Sequence, residues 1–151
     1  MKLSQEIEKL DSIFIDTAPV IYYVEAHPQF GPLVKEVVDT FQSVNLTAFT
    51  SVVTLVEVLP KPIEAGNEKL AKKFADFLRY GKNLTLMDIS ADIAGLAGKL
   101  RGNYTFLKTM DAIQIAAAIV SGSNAFLTND EKLKQVKQIK ILILKEYLTS
   151  R

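Results

Sequence analysis

Short, largely apolar segments that favour β-strands alternate with helical segments along this sequence of 151 residues. Helical periodicity, capping residues and prolines predict helices between the strands. Strands separated by helices are typical of a parallel sheet covered by helices on both faces. The predicted strands cover residues 12–15, 46–49, 84–87, 125–127 and 141–144. We therefore expect a three-layer α/β/α sandwich with a central parallel sheet, formed by one domain over residues 1–151.

The helix boundaries follow from local signals in the sequence. Two prolines, Pro60 and Pro62, are expected to end the third helix after residue 59, and Thr109 is expected to cap the sixth. Residues 1–10 are amphipathic and are expected to form a helical N-terminal extension. The predicted helices cover residues 19–25, 31–41, 52–59, 66–81, 91–100, 110–120 and 130–137.

The composition excludes several classes of site. The sequence has no cysteine and one histidine, His27, so disulfides, thiolate zinc sites, cysteine nucleophiles and multi-histidine metal sites are excluded. No apolar run approaches the ~18 residues that a membrane span requires. The start of the sequence does not resemble a signal peptide, so we expect a cytoplasmic protein that does not enter a membrane.

The charges are distributed unevenly, although the net charge is only +1. Residues 1–59 hold three lysines against eight acidic residues, whereas residues 60–151 hold fifteen basic against nine acidic residues. An acidic region beside a basic region fits a metal pocket next to a phosphate-binding surface. Lysines that merely solvate helix faces explain the same distribution, so both interpretations stay open.

Two acidic residues follow predicted strands at their carboxyl ends. Asp16 comes directly after residues 12–15, and Asp130 follows residues 125–127 with two residues between. Ligands of open parallel sheets bind at the carboxyl ends of the strands. If the two strands are neighbours, both carboxylates lie at one edge of the sheet.

Two further acidic residues interrupt apolar helical segments. Glu57 is the only charged residue of the segment 52–59, which we expect to be buried, so Glu57 needs a polar pocket, a distant Lys or Arg, or a metal ion. Asp111 lies in the first turn of a helix that is otherwise largely apolar. A favourable interaction with the helix dipole explains Asp111 equally well, since acids are favoured at that position.

Four carboxylates that lie close together repel one another unless cations or shared protons stabilise them. Oxygen ligands without histidine or cysteine favour Mg²⁺ or Mn²⁺ over Zn²⁺. Such an ion suits the hydrolysis of a phosphodiester by water, because it stabilises negative charge on the phosphoryl group. Thr17, Thr128 and Asn129 stand beside the acids and are candidates for orienting them, although capping and turn formation explain these polar residues as well.

Four blocks of the sequence contain the candidate acids, and they are Phe14-Ile-Asp16-Thr, Leu55-Val-Glu57-Val-Leu, Met110-Asp111-Ala-Ile-Gln-Ile-Ala-Ala-Ala and Leu127-Thr-Asn-Asp130. Together these blocks resemble the signature blocks of PIN-domain ribonucleases. Their order and spacing match, and the resemblance extends over about residues 11–145. It implies a small α/β/α domain with a metal site of Asp16, Glu57, Asp111 and Asp130 that holds Mg²⁺ or Mn²⁺.

The resemblance also implies a function and partners. It implies a metal-dependent endoribonuclease that acts on RNA, and many bacterial and archaeal members are VapC-type toxins, which form homodimers and are neutralised by a small antitoxin. Thr17-Ala18-Pro19 departs from the pattern, because many members have a small polar residue and no proline after the first Asp. The departure leaves the four acids intact and bears on the assignment to the toxin branch.

Two other classes of protein remain as alternatives. One is a catalytically inert PIN-like protein that binds RNA or serves as a scaffold. The other is a phosphotransfer domain that uses Asp16. A dehalogenase-like phosphatase would need a second Asp at position 18, which is Ala18, and a receiver domain would need an acidic pair at the end of the first strand.

Overall fold

The computed structural model describes residues 1–43 and 46–150 of the chain. Within those residues, five strands form one sheet in the order β3-β2-β1-β4-β5, and every neighbouring pair is parallel. The strands are β1 (Ser12–Ile15), β2 (Thr47–Ser51), β3 (Leu84–Met87), β4 (Ala125–Thr128) and β5 (Lys140–Ile143). All five predicted strands are confirmed, with ends that differ by at most two residues.

Helices cover both faces of this sheet, which confirms the predicted three-layer α/β/α sandwich. No helix in the described part of the chain is long and apolar enough to cross a membrane. The α-helices are α1 (Leu3–Ile7), α2 (Thr17–Val24), α3 (Gly31–Ser43), α4 (Val52–Val58), α5 (Pro60–Glu64), α6 (Glu68–Tyr80), α7 (Ala91–Asn103) and α8 (Thr109–Val120). Two 3₁₀ helices, Glu131–Gln135 and Leu144–Ser150, follow β4 and β5.

The segment around Pro60 differs from the prediction. Helix α4 ends at Val58 as expected, but Pro60 does not end helical structure, because it is the first residue of α5. Proline is tolerated there because the first residues of a helix have no partner for their amide hydrogen. Pro60 therefore begins a second short helix, and Pro62 lies in the first turn of that helix.

Two predicted features near α8 and β4 are also wrong. The residue that caps α8 is Lys108, without a side-chain hydrogen bond, and Thr109 is the first residue of the helix itself. The helix predicted for residues 130–137 is a 3₁₀ helix, because the chain is extended again at Val136 and enters β5 at Lys140.

Alternate residues of the central strands pack into two separate cores. Ile13 and Ile15 face a core formed with α1, α2, α3 and α6. Phe14 faces the opposite core, formed with α7 and α8, where its ring stacks on Phe126 with ring centroids 5.4 Å apart. A period of two is what a strand buried on both faces requires.

The N-terminal segment is an integral part of the first core. Residues 1–10 contain α1, so the helical prediction is confirmed, and the side chains of Leu3 and Ile7 are fully buried. Glu6 of α1 also accepts a hydrogen bond from the ammonium of Lys140 in β5, at 2.9 Å. This segment packs on the layer of helices and does not project from it.

The order of the strands creates a crevice at the carboxyl ends of β1 and β4. The chain runs outward from β1 to β2 and β3, and then returns to β4 on the other side of β1. The connections leaving β1 and β4 therefore diverge, which is the topology that opens a binding crevice. Ile15 pairs with Leu127 across these strands, so the residues that follow them meet at one edge.

Candidate active site

Asp16 is the buried carboxylate at the centre of this edge. It ends β1 and caps α2, and its Oδ1 accepts a hydrogen bond of 2.8 Å from the backbone amide of Thr17. Its Oδ2 accepts a second hydrogen bond of 2.8 Å from the hydroxyl of Thr128, at the end of β4. The residue is only 9% exposed. The two oxygens are thus held by the start of α2 and by the end of β4.

The surroundings of Asp16 raise its pKa to about 6. Burial is the main cause, since it disfavours the charged form, and the nearby carboxylates of Asp111 and Glu57 raise the pKa further. The hydrogen bonds from Thr128 and from the amide of Thr17 act in the opposite direction. A carboxylate with these neighbours favours a bound cation.

Glu57 lies near Asp16, but its environment differs from the one expected. The side chain is exposed on α4, and the preceding residue Val56 is 63% exposed, so the expectation that the whole segment is buried is wrong. Burial of α4 is confined to Val53, Thr54 and Val58. Glu57 Oε1 accepts a hydrogen bond of 2.6 Å from the hydroxyl of Thr17, which ties α4 to the start of α2.

Asp111 is half-buried in the first turn of α8, and the rest of that helix is largely buried as predicted. Burial raises its pKa, and the negative charges of Asp130 and Glu57 raise it further. Lys108 and Lys132 oppose the shift. The carboxylate of Asp111 therefore interacts with the negative charges of other acids at this edge, in addition to the dipole of its own helix.

Asp130 is exposed and caps the 3₁₀ helix that follows β4. Its Oδ1 accepts a hydrogen bond of 3.1 Å from the amide of Lys132, and its own amide donates to the hydroxyl of Thr128 at 3.2 Å. The hydroxyl of Thr128 therefore links the backbone of Asp130 to the carboxylate of Asp16.

Asn129 has a different role from the two threonines, because it contacts none of the four acids through its side chain. Its amide nitrogen donates to the hydroxyl of Tyr22 at 3.3 Å, and its amide oxygen accepts from the backbone of Lys145 at 3.0 Å. These contacts join the end of β4 to α2 and to the C-terminal 3₁₀ helix. Asp16, Tyr22, Asn129, Lys132 and Lys145 line part of a cleft of about 430 Å³.

The structure thus brings the four acids to one edge, where their charges act on one another, but it does not close them into a cage. Among residues 1–43 and 46–150, no group of three or more acidic, histidine or cysteine side chains is arranged to hold one ion. Mg²⁺ is usually held by one or two carboxylates together with water molecules and substrate oxygens. The donor set at this edge consists of carboxylate oxygens and fits an ion bound in that way.

A buried polar network behind the acids was not predicted from the sequence. Gln114 of α8, which is 1% exposed, donates from Nε2 to the hydroxyl of Thr54 in α4 at 2.7 Å, and its amide oxygen accepts from the hydroxyl of Ser51. Thr54 also accepts from Thr50 at 2.9 Å. A polar residue in a buried apolar helix needs a partner, so Gln114 was a detectable signal in the sequence.

Fold and site together define the class of the protein, an α/β protein whose acidic site lies at the carboxyl edge of a parallel sheet. A model of the PIN domain family matches residues 13–139. The chain therefore belongs to the PIN domain family, whose members are generally nucleases. No curated protein sequence matches the chain.

Several solved structures share this fold at low sequence identity. VapBC2 from Rickettsia felis, bound to a DNA fragment from its promoter, is 19% identical with a TM-score of 0.68, covering 87% of this chain and 98% of that chain. VapC20 from Mycobacterium tuberculosis, a sarcin–ricin loop cleaving toxin, is 17% identical with a TM-score of 0.65, covering 85% and 98%. DNA-bound VapBC from Salmonella typhimurium is 17% identical with a TM-score of 0.67, covering 88% and 98%.

Proposed function

We propose that the chain is a metal-dependent endoribonuclease that hydrolyses phosphodiester bonds in RNA with Mg²⁺ or Mn²⁺. The observation that carries this proposal is the buried carboxylate of Asp16, whose pKa is raised to about 6 beside Asp111 and Glu57 at the crevice of a PIN fold. A folded protein does not bury such a charge among other carboxylates without cost. A site that binds a cation explains why the arrangement exists.

The four acids would hold the ion with unequal contributions. Asp16 is fixed by two hydrogen bonds and Asp111 by its position on a buried helix, so these two would supply a rigid pair of ligands. Glu57 and Asp130 are exposed and would complete the site. Thr17 and Thr128 orient Glu57 and Asp16. The ion supplies positive charge that stabilises the phosphoryl group during hydrolysis.

The cleft beside Asp16 supports a nucleic acid as the substrate. Lys132 and Lys145 stand at its wall, where they would attract phosphates, and the ring of Tyr22 offers a surface for stacking a base. The excess of basic residues in the segment 60–151 also supports a nucleic acid as the substrate. A polyanion that approaches an acidic metal site needs positive charge nearby. The M. tuberculosis relative is described as a toxin that cleaves the sarcin–ricin loop, which favours RNA over DNA.

We also propose that the chain is the toxin of a toxin–antitoxin pair and forms a homodimer. The relatives from R. felis and S. typhimurium are VapBC proteins, which supports an antitoxin partner for this chain. A groove of about 600 Å³ between α2, α3 and α6 offers an apolar surface with two lysines, Lys35 and Lys73, at its wall. An antitoxin segment with apolar and acidic side chains would fit this groove.

The proposed activity is tested by incubating the metal-free protein with single-stranded RNA in Mn²⁺ or in EDTA. We expect internal cleavage in Mn²⁺ and none in EDTA, with an equal concentration of single-stranded DNA as the control substrate. An inert scaffold would leave the RNA intact under both conditions. A phosphotransfer domain would also leave it intact and would instead retain phosphate on Asp16 after treatment with acetyl phosphate.

A Glu57→Gln variant is expected to bind Mn²⁺ about tenfold more weakly, because an amide cannot replace the charge of an exposed ligand. Glutamine can keep the hydrogen bond from Thr17 and removes one charge that repels Asp16 and Asp111, so the metal-free variant should unfold at the same urea concentration as the wild type or at a slightly higher one. The measurement is a Mn²⁺ titration followed by electron paramagnetic resonance. Glu64→Gln, an exposed acid at the end of the neighbouring helix α5, is the matched control. Equal Mn²⁺ affinity of wild type and Glu57→Gln would exclude Glu57 from the site.

A further inference from the structure

The buried hydrogen bond between Thr54 of α4 and Gln114 of α8 is connected to the carboxylate of Glu57 through the hydroxyl of Thr17. Thr54 is fully buried, and its hydroxyl lies 3.3 Å from the hydroxyl of Thr17, which in turn donates to Glu57 at 2.6 Å. The amide of Gln114 contacts both threonines, at 2.7 Å from Thr54 and 3.5 Å from Thr17. Every buried side-chain nitrogen and oxygen in the described residues has a partner, so this network is complete.

The donors and acceptors of the network can be assigned. Thr17 uses its single hydroxyl hydrogen on the carboxylate of Glu57, so Thr54 is the donor in the 3.3 Å contact between the two threonine hydroxyls. Thr54 accepts from the amide of Gln114 and from the hydroxyl of Thr50. The amide oxygen of Gln114 accepts from Ser51, which fixes its nitrogen towards the threonines. The series from Ser51 through Gln114 and Thr54 orients the hydroxyl of Thr17, and the hydrogen bond from Thr50 to Thr54 lies outside that series.

Thr54 and Gln114 each lie one helical turn from one of the four acids. Thr54 precedes Glu57 by three residues on α4, and Gln114 follows Asp111 by three residues on α8. Side chains three apart lie on the same face of a helix, one turn from each other. The contact between Thr54 and Gln114 therefore connects α4 and α8 at a point one helical turn from Glu57 and one helical turn from Asp111.

We propose that Thr54 and Gln114 are positioning residues, which hold the hydroxyl of Thr17 and through it the carboxylate of Glu57 in the geometry that the site uses. The proposal rests on the proposed nuclease function and adds two residues that contact neither substrate nor metal. The buried amide of Gln114 and the buried hydroxyl of Thr54 thereby restrict the rotation of the exposed Glu57 side chain.

The matched variants differ by one hydroxyl. Thr54→Val removes the hydroxyl at constant shape, Thr54→Ser keeps it, and Thr50→Val removes an equally buried hydroxyl on the side of Thr54 away from Glu57. We expect Thr54→Val to lower kcat about 10- to 100-fold with KM almost unchanged, as replacement of groups behind metal ligands does. Thr54→Ser should recover most of the activity, and Thr50→Val should keep the wild-type kcat although it loses stability.

A second readout is independent of activity and metal. The three-bond couplings of the Thr17 γ-methyl group, measured by NMR, report whether its side chain occupies one rotamer. We expect one rotamer in the wild type and in Thr50→Val, and averaging in Thr54→Val. If Thr54→Val does not fold, Thr17→Val and Thr17→Ser provide the same comparison at a half-buried site, with the same expected loss and recovery of kcat.

The two proposals fail in different ways. A folded Thr54→Val variant with wild-type kcat, or with Thr17 still in one rotamer, would overturn the positioning role while RNA cleavage by the wild type stands. A wild type that does not cleave RNA, but whose Thr17 rotamer depends on Thr54, would overturn the nuclease function and support the positioning of Thr17.

Discussion

An Asp16→Asn variant is expected to lose metal-dependent RNA cleavage by roughly 10³-fold or more, because a neutral amide binds a divalent ion far more weakly than a carboxylate does. Asp16 is the only one of the four acids whose two oxygens are both held by hydrogen bonds within the described residues. No neighbouring carboxylate can take its place without moving a strand end. The measurement is the rate of cleavage of single-stranded RNA at saturating Mn²⁺.

The same substitution is expected to stabilise the metal-free protein at neutral pH. The pKa of Asp16 rises from 3.8 to about 6 on folding, so the folded state binds the proton more tightly than the unfolded state does. The contribution of Asp16 to the free energy of unfolding is therefore most favourable at low pH. It falls by up to about 3 kcal/mol as the pH rises from 3.8 to about 6. Asparagine removes that penalty but weakens one hydrogen bond, which leaves a net gain of about 1–2 kcal/mol.

Urea unfolding in EDTA at pH 7.5 and at pH 4 measures this gain. We expect Asp16→Asn to be more stable than the wild type at pH 7.5, with the difference largely gone at pH 4. Asp11→Asn is the control, since Asp11 is an exposed acid at the other end of β1. A variant that cleaves RNA at the wild-type rate would exclude Asp16 from the site. Equal stability at pH 7.5 would contradict the argument from burial.

An Asp111→Asn variant is expected to show a similarly large loss of cleavage, roughly 10³-fold, because it removes the half-buried carboxylate that lies beside Asp16. It should also lower the pKa of Asp16, since the charge of Asp111 is one of the causes that raise it. NMR titration of the Asp16 carboxyl carbon in metal-free protein measures the second effect. The fold should persist, because asparagine has nearly the same volume as aspartate.

The matched control for this variant is Asp92→Asn. Asp92 occupies the first turn of α7, as Asp111 occupies the first turn of α8, but Asp92 is exposed and lies outside the site. If Asp111 acts only through the dipole of its helix, both variants should cost a few tenths of a kcal/mol of stability and neither should affect cleavage. An unchanged rate in Asp111→Asn would support that simpler explanation.

The ends of the predicted strands gave the positions of two of the four candidate acids. Asp16 and Asp130 were predicted from the ends of two strands, and the structure places those strands side by side. The sheet order was not determined by the sequence, because the central strands β1 and β4 are buried on both faces and carry no polar pattern to identify their neighbours. The alternation of strands and helices nevertheless determined the layered architecture, because parallel strands need helical crossovers.

Glu57 shows how an apolar segment can mislead. The run from Val52 to Leu59 suggested complete burial, whereas Val56 and Glu57 lie on the exposed side of α4. An apolar residue on the surface is ordinary, so composition alone does not give the orientation of a seven-residue helix. The most deeply buried of the four acids is Asp16. Its burial depends on the pairing of β1 with β4, which local sequence patterns do not reveal.

The buried network was missed for a related reason. Gln114 lies within the most apolar helix of the chain and Thr54 within α4, and each was one polar residue among many apolar ones. Their partners come from different elements, with Ser51 at the end of β2 and Thr17 at the start of α2. Contacts of that kind depend on how helices pack on the sheet, and local spacing in the sequence does not reveal them.

Binding of Mn²⁺ to the metal-free protein measures whether the carboxyl edge of the sheet is a divalent cation site. Electron paramagnetic resonance should show saturable Mn²⁺ binding by the wild type and by an Asp11→Asn/Asp92→Asn double variant. The Asp16→Asn/Asp111→Asn double variant, with the same net charge as that control, should lose this binding. Equal Mn²⁺ binding by the two double variants would contradict the account.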